Sequence, residues 1–242
     1  MKYILLTLLF LNILWAKGPK NSVGIATAIS ESPYQDVENE PLPFPMVTYH
    51  TDTFYIQGLE IGYKLVNFDL LKLNAIINPV FKNLDPGDSI YLNGMDKRYR
   101  TIDAGIKLVI APIPLVKLSA KLRADTLGVY EGYMSELKIN VLVPLSKSFI
   151  IMLSYGKQNY SSDYVNYYFG VKASEATASR AEYIPSSSEI TTTSANFIYN
   201  FTDKLGASLG INQAKLGDEI KNSPIVDKDK TTSYFMALTY KF

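Results

Sequence analysis

The chain has 242 residues with 24 basic and 23 acidic side chains, one histidine and no cysteine. Its length admits one sizeable domain, the missing cysteine excludes disulfide frameworks and thiolate chemistry, and scattered basic residues at near-zero net charge exclude a nucleic-acid footprint. A mean hydropathy of +0.02 fits a soluble protein, but equally a membrane barrel in which every second residue faces a polar lumen.

The N-terminus reads as a secretory leader. Lys2 precedes an apolar run from Tyr3 to Trp15, broken only by Thr7 and Asn12, and Ala16 stands before Lys17-Gly18-Pro19. A positive start, a short apolar core and a small residue at the break describe a signal peptide over 1–16. The run falls short of the ~20 residues that a spanning helix needs, which disfavours a retained anchor. Residues 17–242 then form the mature domain.

Beyond the leader, period two recurs. Val23, Ile25, Thr27 and Ile29 alternate with Gly24, Ala26, Ala28 and Ser30. Pro41-Leu42-Pro43-Phe44-Pro45 is assigned to a first outer loop within 31–53, because proline cannot donate to a central ladder. Met46–His50 is either a short extra strand or an extension of the next one. Leu59, Ile61, Tyr63 and Leu65 alternate with Gly58, Glu60, Gly62 and Lys64; Leu71, Leu73, Ala75 and Ile77 with Lys72 and Asn74. Ile102–Ile110, Val116–Ala124 and Ser135–Val143 repeat the pattern with Asp103, Lys107, Lys117, Lys121, Arg123, Asp125, Glu136 and Lys138 on the opposite face. Phe149–Tyr155, Ala195–Phe201, Leu205–Ile211 and Thr232–Phe242 complete about ten strands, with twelve also admissible.

Alternation alone suits a soluble sandwich as well as a barrel. Three features favour an all-β, antiparallel, up-and-down transmembrane barrel. The strands approach the ~9–11 residues of a membrane strand rather than the ~5–6 of a soluble one. Short links at 67–69, 111–114, 145–147 and 202–203 alternate with long ones at 82–97, 158–188 and 215–230, as periplasmic turns alternate with outer loops. The chain ends in a strand carrying Tyr240 and Phe242, the mark of an assembly signal for bacterial outer-membrane barrels.

The charged face would then line the lumen: Glu60, Lys64, Lys72, Asp103, Lys107, Lys117, Lys121, Arg123, Asp125, Glu136 and Lys138. A barrel of ten strands is nearer the side-chain-filled size than the porin size. Since an unpaired buried charge is costly, a polar plug of paired charges is favoured over a charged, solute-selecting pore. The glycine pairs Gly58/Gly62 and Gly206/Gly210 are expected to point inward, giving space in a narrow barrel. His50, with Asp52 two residues on, lacks a nucleophile and orienting group in its pattern and does not make a hydrolase site. One histidine and no cysteine leave no transition-metal site, and Asp85-Pro-Gly-Asp88 and Asp227-Lys-Asp229 read as turns rather than calcium loops. Ser186–Thr193 reads as a loop running into a strand. No cofactor is expected.

A series of short motifs runs through the mature chain. They are Ser32-Pro33-Tyr34 with Pro41-Leu42-Pro43; Phe54-Tyr55 before Gly58 and Gly62-Tyr63; and Asn93-Gly94-Met95-Asp96 with Arg98, Thr101 and Asp103-Ala-Gly105. Then come Tyr167-Tyr168-Phe169-Gly170-Val171 with Glu175-Ala176, Leu216-Gly217-Asp218 with Ser223-Pro224-Ile225-Val226, and Tyr240-Lys-Phe242. Together they resemble the MipA/OmpV family of outer-membrane proteins. The resemblance implies an outer-membrane barrel without catalytic residues. Its named member is a scaffold joining a murein-cleaving lytic transglycosylase to a murein synthase, and other members are surface antigens. The expected partners are therefore outer-membrane lipid, the barrel-assembly machinery and murein hydrolase or synthase proteins. A small-solute channel or a surface receptor or adhesin is the alternative. The motif positions Tyr34, Pro43, Asp96, Arg98, Asp103, Tyr168, Gly170, Asp218 and Pro224 have no role assigned by the family. Most fall in or near the expected outer loops, which suggests loop packing or an outer ligand.

Overall fold

The computed structural model describes residues 21–242; the expected leader, 1–16, lies outside the described residues. Twelve antiparallel strands close into one barrel: β1 (Ser22–Ser30), β2 (Pro41–His50), β3 (Phe54–Gln57), β4 (Glu60–Asn67), β5 (Leu71–Val80), β6 (Thr101–Ile113), β7 (Val116–Asp125), β8 (Tyr133–Pro144), β9 (Phe149–Tyr160), β10 (Ser188–Asn200), β11 (Leu205–Lys215) and β12 (Lys230–Lys241). Each strand pairs with its chain neighbours, and β1 meets β12 from Ser22↔Lys241 to Ser30↔Ser233. Closure follows from the surroundings: no water in a hydrocarbon layer satisfies an unpaired N–H or C=O, so a sheet there must have no edge.

Alternate side chains divide between the two faces as the period requires. Ile25 is 71% exposed and Leu137 65%, whereas their neighbours Ala26 and Glu136 are 5% and 8% exposed. The apolar face is outward and the polar face enclosed, the reverse of a soluble protein. Outward aromatics gather at the short-turn end, where Phe149, Tyr199 and Phe201 lie in sequence with ring centroids 6.4 and 5.2 Å apart, tilted and then edge-to-face, and Tyr240 and Phe242 stand exposed. Such a girdle suits the boundary of a membrane.

All ten expected strands are present, and β2 and β3 make twelve. The loop assignment of Pro41–Pro45 is corrected: these residues and Met46–His50 form one strand, paired with β1 from Pro41↔Ile29 to Thr48↔Ser22. Segment 31–53 is therefore a loop, a strand and a turn. The prolines fit for a geometric reason. The Gly58 N–H donates to the Val47 carbonyl, 2.8 Å, so the polar groups of Val47 face away from β1. Pro45, Pro43 and Pro41 lie two, four and six positions earlier and turn the same way, so none owes β1 a donor. On their open side β3 pairs only with Thr48–His50.

The glycine expectation holds in part. Gly62 clears room for Tyr55, whose ring lies 2.3 Å from where a Cβ would be, and Gly206 and Gly210 similarly face Asn200 and Asn196. Gly58 does not point inward. It occupies the tight β3–β4 turn at φ +61°, a conformation that glycine adopts without strain.

Because Leu209 is 54% exposed on the outward face, Leu209→Arg is expected to lower the stability of the bilayer-refolded barrel by about 2–4 kcal/mol. Ser208→Arg, one residue away but inward, should show no such membrane penalty. Urea titration followed by gel mobility checks this pair.

Candidate functional site

The inward charges form a net along one wall. Glu60 on β4 accepts from Lys107 on β6 at 2.6 Å and from Lys121 on β7 at 2.9 Å, and Lys121 also lies 3.7 Å from Glu136 on β8. The Tyr55 hydroxyl donates to Glu60, 2.8 Å, and the Gln158 amide to Glu136, 2.7 Å. Nearer the long-loop end, Arg123 faces Asp103 at 3.8 Å. Lys107 and Lys121 stand opposite one another on β6 and β7, and the carboxylates of Glu60 and Glu136 offset both the desolvation and the mutual repulsion of the two ammoniums. Asp125 departs from the expected lumen group: it accepts the backbone N–H groups of Leu127, Tyr130 and Glu131 and the Thr101 hydroxyl, so it organises the β7–β8 loop.

Lys64, Lys72, Lys117 and Lys138 lie nearer the short turns. The Lys64 ammonium donates to the Thr51 carbonyl, and Lys138 lines the wall beside Gly156. His50 stacks on Tyr55 at 5.8 Å, and among the described residues it makes no hydrogen bond to Asp52.

The long-loop end holds a second, dry core. The loops β1–β2, β5–β6, β7–β8, β9–β10 and β11–β12 supply Tyr34, Leu84, Leu92, Tyr130, Tyr164, Tyr168, Phe169, Ile220 and Ile225, all 5% exposed or less. Loops rising from around the whole wall meet in one cluster, so they cover the mouth. Helix Ser162–Phe169 sits at its centre. The Ser161 hydroxyl caps it by accepting from Tyr164 N–H and also holds Tyr133 N–H. Gly170 closes it where a Cβ would strike Asn166.

Most motif residues build this lid. The Tyr34 hydroxyl donates to the Tyr168 carbonyl, 3.0 Å, and the Tyr168 hydroxyl to the Tyr99 carbonyl, 2.9 Å. Arg98 Nη2 donates to both Glu175 oxygens at 2.8 and 2.9 Å, while its Nε and Nη1 hold the carbonyls of Tyr167 and Asp96. This ion pair is almost fully enclosed, at 3% and 2% exposure. Asp96 bonds through its backbone N–H to Glu175, and its carboxylate pairs with Lys172 at the surface. Pro224 lies between buried Ser223, which donates to the Phe169 carbonyl, and Ile225. Asp103 accepts the Tyr130 hydroxyl at 2.7 Å and so ties the lid to the wall. Two positions stand apart: Pro43 is on β2, facing outward, and Asp218 pairs with Lys221 on an exposed turn.

Arg180 and Lys82 were not singled out from the sequence. Arg180 gathers the carbonyls of Tyr91, Asn93 and Glu175, and Gly94, at φ +82°, turns the chain beside it. Lys82 lies over the Phe169 ring at 4.6 Å and the Tyr34 ring at 5.4 Å, and burial pushes its ammonium down to about 8. A lysine or arginine in a loop looks solvated in the sequence; folding buries Arg180 and lays the half-buried Lys82 over two aromatic rings.

Burial pushes the Glu175 carboxyl up, but the Lys172 and Asp96 N–H groups and Arg98 outweigh it, leaving the carboxyl below the usual range. A carboxyl depressed on folding stabilises fully above its unfolded value and loses that contribution as pH falls through the folded one. Lid protection against protease should therefore weaken in acid. Arg98→Met should cost about 3–5 kcal/mol by stranding Glu175 and open the lid to limited proteolysis at neutral pH. Lys172→Ala should leave protection within about 1 kcal/mol, because its pair with Asp96 is exposed.

The family model for MltA-interacting protein MipA matches residues 23–242. The chain is 29% identical over 227 residues to the MltA-interacting protein of Escherichia coli K12, covering 92% of this chain and 90% of that one. It is 28% identical over 196 residues to the outer membrane protein OmpV of Vibrio cholerae, covering 80% and 76%. Among solved structures it is similar to the NanC porin at TM-score 0.46 and 9% identity, with 93% and 100% covered. A closed barrel with an outward apolar face, matched over nearly its whole described length by a family of outer-membrane proteins, is itself an outer-membrane protein: the chain belongs to the MltA-interacting protein MipA family.

Proposed function

We propose that the chain is a non-enzymatic outer-membrane scaffold for murein-turnover enzymes, with its short turns in the periplasm and its lid outside. The observation that carries this reading is the lid: five loops share one dry core over the long-loop mouth. A mouth covered in this way speaks against free passage of solutes and for a barrel that presents a surface. The name of the E. coli relative records an interaction with MltA, and the scaffold reading extends that kind of partnership to this chain.

Lipid meets the outward face, and the exposed Tyr240 and Phe242 at the end of the last strand serve as the signal read by the barrel-assembly machinery after the leader 1–16 is removed. The sole histidine, His50, stacks on a tyrosine and takes no catalytic part.

Pull-down from detergent-solubilised envelopes should enrich a murein hydrolase or synthase, and the purified barrel should stay silent in planar bilayers. Steady single-channel conductance together with repeated recovery of no murein enzyme would replace the scaffold with the channel.

A further inference from the structure

The wall is not paired over its whole height. Between β2 and β5 it is completed by the β3–β4 hairpin, which turns back at Gly58-Leu59, next to Val47 on one side and Ile77 on the other. Toward the lid, β2 continues through Pro41–Met46 and β5 through Asn78–Val80. Among the described residues no strand lies between these two stretches and no ladder joins them. Two strand positions, about 10 Å at the usual spacing, are left open there. The lid bounds this slot from above, where Lys82 of the β5–β6 loop lies over Tyr34 of the β1–β2 loop at 5.4 Å.

Both edges of the slot are made of proline. On β2 the backbone positions that face it are Pro41, Pro43 and Pro45. On β5 the Ala111 N–H donates to the Leu70 carbonyl, 2.9 Å, so every second residue from Leu70 to Val80 faces β6 and Pro79 faces the slot. An unpaired N–H is costly in hydrocarbon, and a row of them is what an added strand binds. Four prolines remove the donors from both edges. The slot also opens at the level of the lipid-facing belt. Pro45 and Pro41 stand beside Ile25 and Ile29 of β1, and these beside Leu238 and Tyr234 of β12, all four outward and exposed. Behind the edge the wall is apolar, unlike the charged wall from β4 to β8. Leu42, Phe44 and Met46 point inward, and Phe44 lies 6.2 Å from Phe235 of β12. Leu42 is exposed although it belongs to the inward face, whereas Ala26 and Ala237 on that face are buried.

We propose that this slot is a lateral lipid site: an acyl chain of a lipid in the surrounding leaflet lies between β2 and β5, against Leu42, Phe44 and Met46. The proposal is independent of the scaffold reading. Three observations select the occupant. Hydrocarbon is what surrounds the slot at this level. An acyl chain asks no donor of the edges, whereas a partner strand would find none to pair with. The side chains behind the edge are apolar and offer a polar solute no partner.

Trp15 is the only tryptophan of the chain, so the full chain carrying Trp15→Phe gives a dark background for introduced reporters. Three are compared singly: Phe44→Trp at the slot, Ile198→Trp on the inward face of β10, and Phe197→Trp on its outward, exposed face. Each is refolded into phosphatidylcholine vesicles with plain or brominated acyl chains, since bromine quenches tryptophan only at short range. Phe197→Trp should lose most of its emission in the brominated vesicles and Ile198→Trp little. Phe44→Trp should lose nearly as much as Phe197→Trp, although its side chain faces inward. Adding Leu42→Arg, which places a charge where the acyl chain lies, should restore the Phe44→Trp emission to the level of Ile198→Trp. Heat-modifiable gel mobility verifies folding of each variant, and Met46→Trp takes over if Phe44→Trp does not fold.

Quenching of Phe44→Trp no greater than that of Ile198→Trp overturns the lipid site, and so does quenching that Leu42→Arg leaves unchanged. A second copy seated on the open edge would appear as a crosslinked dimer in the same vesicles with Phe44→Trp protected, which also overturns it. Recovery of the Phe44→Trp emission on adding unbrominated free oleate, at an amount that leaves Phe197→Trp quenched, assigns the slot to a free fatty acid and rejects the membrane lipid. None of these outcomes bears on the scaffold reading, which stands or falls by the capture of murein enzymes.

Discussion

The constraint on which this molecule depends is that backbone polar groups in hydrocarbon must find their partners within the protein. It forces β1 onto β12, and it turns every alternating strand inside out, with Ile25 in lipid and Ala26 enclosed. It also gives β2 its form. Three prolines are tolerated at Pro41, Pro43 and Pro45 because all turn the same way, leaving the ladder to β1 intact.

Enclosing polar side chains creates a second demand, and the barrel meets it in two ways. Along the wall, Glu60 on β4 and Glu136 on β8 are matched to Lys107 on β6 and Lys121 on β7. In the lid, a conventional apolar core surrounds the Arg98–Glu175 pair, with backbone carbonyls and N–H groups taking up their remaining hydrogen-bonding capacity. Such a pair adds little net stability over an apolar replacement, but it strongly penalises any arrangement that separates its members. It therefore specifies how the β5–β6 and β9–β10 loops meet.

The two ends consequently differ in kind. One is closed by packed aromatic rings, with Tyr34, Tyr164 and Tyr168 hydroxyls all pushed up by burial. The other has only short turns, carrying Asp52, Asp69 and Asp203, below the inward Lys64, Lys72, Lys117 and Lys138. Most of the motif positions singled out in the sequence pack into the covered end.

Alternation in the sequence determined the class of fold, the ten regular strands and the face that each side chain takes, because a period of two is local and needs no partner to be read. It did not reveal β3, since four residues are too few to display a period, nor the Pro41–Pro45 half of β2, since the rule against proline depends on which side of a strand is paired. Tyr34, Arg98 and Tyr168 were legible as motif positions but not as one cluster. Arg98 and Glu175 stand 77 positions apart, and nothing local to either names the other. Asp125 likewise shares the strand period with Arg123, yet caps a loop because β7 ends at that residue. Only closure of the barrel brings five loops over one mouth, so the lid and its buried ion pair were decided by the tertiary structure.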